Sequence, residues 1–312
     1  EKILLMKITY IRHIFFCKKI GEKMKDRGHF VKYLDYNEWG RNFYPSLRDI
    51  WDTDVIHFIC AIGCRKFLYI LFIRFFLGKN VFVHFVGSDI LRLQKVKLFD
   101  RFNWKLALML AHRVFTGAPW HIKEIENFIQ AEPLILFFNN YEELDELIPL
   151  PEKFTVLSYL PPGKPDFYGD FLVKELIQKF PQIQFIILGI DEFSHFPNVT
   201  SIPINYNLNL KQLYTDISML IRLTSHDGFS SMILEAMSMG RNIIWTYDIP
   251  YGLKTARNIG SIIEVFEQSI PAKLNADGAQ WVRKNFNFSN FLNELETLYK
   301  QPKFQFTPIS YS

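Results

Sequence analysis

Two carboxylates stand out in the stretch SHDGFSSMILEAMSMG, residues 225 to 240. Asp227 sits beside Gly228. Glu235 sits among Met232, Ile233, Leu234, Ala236 and Met237, a run that otherwise reads as core. A carboxylate among apolar side chains costs free energy unless it is partnered, so Glu235 calls for a role. A helix opening near Ser230 or Ser231 turns unbonded N–H groups and the positive end of its dipole outward, which suits phosphate. Glu235 then lies about one turn inside, on the face of Ser231 and Ser238, with its side chain leaning back toward the helix start. There it can accept from the vicinal hydroxyls of a ribose. Asp227, in the loop, can take hydroxyls of a second sugar, and Gly228 lets the backbone approach closely. A phosphate site flanked by two hydroxyl acceptors describes a nucleotide sugar. The same spacing fits a plainer reading, in which Asp227 caps the helix and Glu235 pairs with Arg222 or Arg241.

The flanking elements must place this loop at the edge of a sheet. SMLIRLT (218–224) reads as a strand ahead of it and RNIIWT (241–246) as one after it. Short apolar runs alternate with helical patterns along the whole chain. In the first half the strands are ILLMKITYI, HFVKYLDY, DVIHFICA, NVFVHFVGSD, RVFTGAP and LILFFNN. Helices are expected over CKKIGEKMKDRG, RKFLYILFIRFFLG, 98–111 and WHIKEIENFIQ. After the acidic, Pro-containing connector ELIPLPEK the pattern restarts with the strand FTVLSYL, the loop PPGKPDFYG and the helix DFLVKELIQKF. IQFIILG and VTSIPI read as strands, and NLKQLYTDI and FSNFLNELETLYK as helices, the last with Ser289 as its cap. Alternating strand and helix argues for parallel sheets with crossover helices. The expectation is an α/β chain of two Rossmann-like, doubly wound domains facing a cleft. They are an acceptor-binding domain over 1–150 and a donor domain over 151–285, with a helix and tail over 286–312 packing back toward the first domain.

Composition bounds the alternatives. The chain has 312 residues, 49% apolar and 22% charged, enough to bury a sizeable core. Phe is abundant at 31 residues, with 14 Tyr, so some aromatics either pack densely or face a greasy partner. Residues 1–150 carry 22 Lys and Arg against 17 Asp and Glu, so the basic excess lies in the first half. Three cysteines, Cys17, Cys60 and Cys64, make no disulfide framework, and no Cys/His cluster completes a zinc site. The greasiest window, FLYILFIRFFL (67–77), is too short to span a bilayer and contains Arg74, so it is a buried helix or one that touches a membrane surface. No signal peptide is visible, and a cytoplasmic protein, peripheral at the membrane surface through its first domain, is expected. A nucleic-acid binder is disfavoured, because the basic residues are spread out and no binding motif occurs.

The stretch RLTSHDGFSSMILEAMSMGRNIIWT closely resembles the signature of retaining glycosyltransferases of the GT-B fold, in particular glycosyltransferase family 4. That signature has two acids separated by seven residues, usually both Glu; here the first is Asp227 and the second Glu235, with Gly228, Phe229, Ala236, Met237 and Gly240 all in place. The resemblance implies that Asp227 holds hydroxyls of the donor sugar, that Glu235 holds the ribose, and that the amides of Phe229, Ser230 and Ser231 hold phosphate. It also implies a basic residue on the diphosphate, for which Lys164 and Arg222 are the candidates, and a base pocket bordered by Gly189 and Ile190. VHFVGSDIL resembles the family's loop after the fourth strand, placing His84, Gly87, Ser88 and Asp89 toward the acceptor, with His84 a further catalytic candidate. His84 also fits a core position, and Asp89 a helix cap. The usual glycine pair after the first strand is absent, with Arg12 and His13 in its place, and Asp227 stands where the family usually has Glu.

The implied reaction is transfer of a sugar from a UDP- or GDP-sugar to a hydroxyl on a glycan or lipid-linked acceptor, with retained configuration. It needs no metal and no cofactor beyond the nucleotide-sugar substrate. Two alternatives share the fold: an inactive binding subunit that pairs with an active enzyme, and a nucleotide-sugar epimerase.

Overall fold

A computed structural model describes residues 5–12, 14–34, 50–59, 70–139, 141, 147–204 and 209–301. The chain divides into two compact units. One comprises Glu1–Phe138 with Ser289–Ser312, the other Asn139–Phe288. Residues 139–150 thus go with the second unit and the chain's last segment with the first.

The first unit contains β1 (Lys7–Arg12), α1 (Ile14–Asp26), β2 (Phe30–Leu34), β3 (Val55–Ile59), β4 (Asn80–Phe85), α2 (Ser88–Gln94), α3 (Leu98–Met109), β5 (Arg113–Thr116), α4 (His121–Ile125) and β6 (Glu132–Pro133). Its six strands lie in the order β2-β1-β3-β4-β5-β6, all paired parallel. The second unit contains β7 (Thr155–Leu160), α5 (Pro165–Tyr168), α6 (Asp170–Lys179), β8 (Gln184–Gly189), β9 (Val199–Ile202), α7 (Leu210–Thr215), β10 (Met219–Arg222), α8 (Ser231–Ser238), β11 (Asn242–Trp245), β12 (Leu253–Lys254), α9 (Ile259–Gln268) and α10 (Ala276–Asn285). Its sheet runs β12-β11-β10-β7-β8-β9, again parallel. The central strands are buried on both faces, which is why they read as unbroken apolar runs.

The last helix, α11 (Phe288–Lys300), belongs almost wholly to the first unit. Phe291, Leu292, Leu295 and Tyr299 recur at helical spacing and are all buried, each worth on the order of 1.5–3 kcal/mol. Tyr299 lies on a sheet face made of Tyr10, His57, Phe82, His84 and Phe115. Its hydroxyl meets His57 Nδ1 at 2.6 Å and donates to the Tyr10 hydroxyl at 3.3 Å. At the other end, Arg27 donates to Asn293 Oδ1 at 2.7 Å, Glu296 Oε1 at 3.0 Å and the Ser289 carbonyl at 3.1 Å.

Several local expectations are corrected. LILFFNN is not a strand over its described part, 134–139. β6 is only Glu132–Pro133, because its partner β5 ends at Thr116 and Pro133 has no N–H to extend the ladder. Ser289 is the second residue of α11, not its cap. PPGKPDFYG is not all loop: Pro165 opens the short helix α5, its fixed φ suited to a first helical position. In the greasy window, Phe72–Phe76 is wound as a π-helix. Cys60 and Cys64 lie outside the described residues.

Candidate functional site

In the second unit the strand order reverses between β7 and β10. Ligands of open α/β sheets bind beyond the carboxyl ends of the strands at such a reversal. Two loops meet there. One follows Leu160 and leads through Lys164 into α5, and the other follows Arg222 and leads through Asp227 into α8. Ser225 N donates to the Phe167 carbonyl at 2.9 Å, joining them. Arg257 ties them again, donating from Nε to the Leu223 carbonyl at 2.9 Å and from Nη2 to the Asp166 carbonyl. Gly169, at φ +77°, packs against Leu223, whose carbonyl oxygen would lie 2.8 Å from a Cβ there.

Asp227 is paired. Arg222 donates to its Oδ2 through Nε and to its Oδ1 through Nη2 at 3.0 Å, a bidentate fork, and Thr224 Oγ1 donates at 3.2 Å. The Asp227 amide donates to the Tyr247 hydroxyl at 3.0 Å. Both side chains of the pair are about nine-tenths buried, 11% and 12% exposed. Burial by itself would lower the Arg222 pKa, but the Asp227 charge and hydrogen bonds outweigh it and hold the pKa above its ordinary value. The guanidinium also faces the rings of Tyr159 and Tyr168 at 5.9 and 5.8 Å.

Glu235 has other partners. Asn139 Nδ2 donates to its Oε1 at 2.8 Å and the Tyr214 hydroxyl to its Oε2 at 2.8 Å. Burial, followed by the nearby Glu235 charge, pushes the Tyr214 and Tyr141 hydroxyls well above their ordinary pKa, so both stay protonated. The plainer expectation of a pairing with Arg222 or Arg241 is therefore replaced. Arg222 is on Asp227, and Arg241 donates to the carbonyls of Ile148 and Pro149 at 2.9 and 3.1 Å. Ser230 occupies the cap position of α8 in extended backbone, and its side chain makes no capping bond. Its carbonyl accepts from Ile233 N at 3.1 Å, as the first bond of the helix. Gly228, Phe229, Ser230 and Ser231 are all partly exposed around this start.

Lys164 is exposed at the start of α5, its Nζ 5.7 Å from the Phe167 ring. Gly189 ends β8 at φ +135°, where a Cβ would sit 2.1 Å from the Leu160 carbonyl oxygen, so only glycine fits beside β7. The Ile190 amide donates to that same carbonyl at 3.0 Å.

In the first unit, His84 is wholly buried. Its Nε2 lies 2.8 Å from the Leu134 carbonyl, and its ring stacks on His57 at 5.6 Å. Burial drives its pKa down to about 3, so the ring is a neutral member of the core. Asp89 is also buried, accepting from the amides of Gly87 at 2.8 Å, Val86 at 3.1 Å and Ile90 at 3.2 Å, which makes it a tie for its own loop. Ser88 is exposed and Gly87 buried. His13 lies outside the described residues.

Two parallel six-stranded sheets, each with its order reversing inside, bear on the whole chain. Sucrose-phosphate synthase from Thermosynechococcus elongatus superposes with a TM-score of 0.74 at 13% identity, over 95% of this chain and 98% of that one. The fold is GT-B. A glycosyltransferase from Rickettsia africae matches GT-B for GT-B with a TM-score of 0.72 at 12% identity, over 96% and 98%. UDP-GlcNAc 2-epimerase from Neisseria meningitidis, bound to UDP-GlcNAc, does so with 0.56 at 14% identity, over 94% and 99%. No family model matches the chain, and no curated protein matches it in sequence.

Sequence reasoning missed Asn139, Tyr214, Tyr247 and Arg257. Tyr214 left a faint signal, as the one aromatic in the polar helix NLKQLYTDI.

Proposed function

We propose that this chain is a retaining glycosyltransferase that moves a sugar from a UDP- or GDP-sugar to a hydroxyl on a glycan or lipid-linked acceptor. The observation that carries the reading is the placement of Glu235. It sits one turn inside α8, at the strand-order reversal of the second unit, with Asn139 and Tyr214 holding one carboxylate oxygen each. A carboxylate oriented by such donors at this place is suited to meet the vicinal hydroxyls of a ribose.

The opening amides of α8 and its dipole face the diphosphate, and Lys164 supplies mobile positive charge to the leaving group. Arg222 is already committed to Asp227. The pair presents to the donor sugar an oriented carboxylate whose charge is largely offset and which reads its hydroxyls. The reaction follows a front-face course, in which the leaving phosphate takes the acceptor proton. Neither a metal nor a further cofactor enters it.

The test is transfer from a panel of UDP- and GDP-sugars, with Glu235→Ala and Asp227→Ala run separately. Unchanged transfer in both variants refutes the assignment. A second reading, epimerisation of the nucleotide sugar, is favoured by the likeness to the UDP-GlcNAc 2-epimerase. It predicts a changed nucleotide sugar with no acceptor present, which the same assay run without acceptor detects.

A further inference from the structure

The greasy window finds only part of its explanation in the core. Ile70 and Ile73 are fully buried, and Arg74 Nη1 donates to the carbonyls of Leu110 at 2.5 Å and Ala111 at 3.4 Å, closing the carboxyl end of α3. That anchor leaves the far side of the π-helix outward. Phe75 and Phe76 are 59% and 72% exposed, with Phe72 stacked on Phe76 at 5.3 Å and the Arg74 guanidinium 5.3 Å from the Phe75 ring. The helix that Arg74 closes has the same character. Phe102 and Met109, two turns apart on one face of α3, are 62% and 38% exposed, with Lys105 between them and Arg101 alongside.

Single exposed hydrophobic residues are ordinary. Two adjacent helices that both present aromatic side chains, tied to each other by a buried arginine, are less so. The charge around them decides what covers them. Arg101 and Lys105 stand on α3 beside Phe102 and Met109, and over residues 70–112 the chain has seven Lys and Arg, Arg74 among them buried, against two Asp and Glu, of which Asp89 is buried on backbone amides. Basic side chains beside an apolar patch disfavour a second copy of the same surface and favour an anionic one. Lysines can lay their stems along apolar surface and keep the ammonium in water. No helix among the described residues is long and apolar enough to cross a membrane. We infer that Phe75, Phe76, Phe102 and Met109 dock the first unit on an anionic lipid bilayer, the rings entering the acyl boundary and Arg101 and Lys105 meeting the headgroups.

The inference does not rest on glycosyl transfer, and its test is separate. The full chain is sedimented with vesicles of phosphatidylcholine alone and of phosphatidylcholine mixed with phosphatidylglycerol. Binding is expected to the mixed vesicles, weaker at high salt, and near nil to the neutral ones. Phe75→Ser with Phe76→Ser lowers it at least about tenfold, with an unchanged melting temperature. If that variant fails to fold, Arg101→Glu with Lys105→Glu decides, and the same loss is expected. The inference is overturned if the wild type ignores both kinds of vesicle, or if a folded variant binds like the wild type. It is also overturned if light scattering shows a dimer that the serine variant breaks while vesicle binding stays intact.

Discussion

Tyr214 donates its hydroxyl to Oε2 of Glu235 at 2.8 Å, from a ring only 1% exposed. Burial, then the charge of Glu235, keeps that phenol protonated, so the bond holds across the working pH range. Tyr214→Phe removes a donor that helps fix the carboxylate. A hydrogen bond to a charged group is worth about 1.5–3 kcal/mol, so affinity for UDP or GDP, read by calorimetry, should fall about tenfold or more. Glu235→Gln should cost at least as much. A Phe variant that binds as tightly as the wild type would remove Tyr214 from the site.

Arg222 and Asp227 form a pair whose halves cannot be removed one at a time. Arg222→Met strands the Asp227 carboxylate in a nearly closed environment and should destabilise the protein by about 3–5 kcal/mol in urea. Adding Asp227→Leu should recover most of the loss, while transfer activity stays absent. A single variant as stable as the wild type would mean that the pair is water-exposed in solution.

His57 and His84 predict acid sensitivity. Burial lowers both pKa values, His84 to about 3; the His84 ring lowers His57 further, and the His121 ring adds to the lowering of His84. Both folded pKa values lie below the unfolded one, so at lower pH the unfolded chain binds more protons. Their contribution is complete above about pH 6.5 and is lost as the pH falls toward 3, at up to about 1.4 kcal/mol per pH unit for each ring. Melting temperature measured against pH should drop through that window. His84→Gln, which keeps a donor for the Leu134 carbonyl, should flatten the drop.

Gly189 tolerates no side chain. An added Cβ would lie 2.1 Å from the Leu160 carbonyl oxygen, with β7 and β8 unable to part without breaking their ladder. Gly189→Ala should cost more than about 4 kcal/mol, seen as a large fall in melting temperature or as insoluble protein.

The sheets, the loop carrying Asp227 and the helix carrying Glu235 were legible because local periodicity encodes them: buried parallel strands are continuous apolar runs, and α8 follows its strand after one short loop. The partners were not legible. Glu235 is held by residues 96 and 21 positions away, and Asn139 sits in a run that reads as one more strand. Asp227 and Arg222 are five apart, but a strand end and a loop separate them, so neither helix nor strand spacing predicts that they meet. LILFFNN misled for a related reason. Its composition favours a strand, yet β5 ends too soon to pair with it. Ser289 misled because the residue before it, Phe288, already starts the helix.

The ring of Tyr299 on the face of Tyr10, His57 and Phe82 sets the order in which the protein can be made. During synthesis, Lys7–Arg12 leaves the ribosome long before Phe288–Lys300. The second unit is one unbroken stretch of chain and can complete its core while the first still waits for its final helix. Domains usually finish from the amino end onward. Here the first half to emerge should finish second, with an aromatic sheet face open to chaperones until Tyr299 arrives.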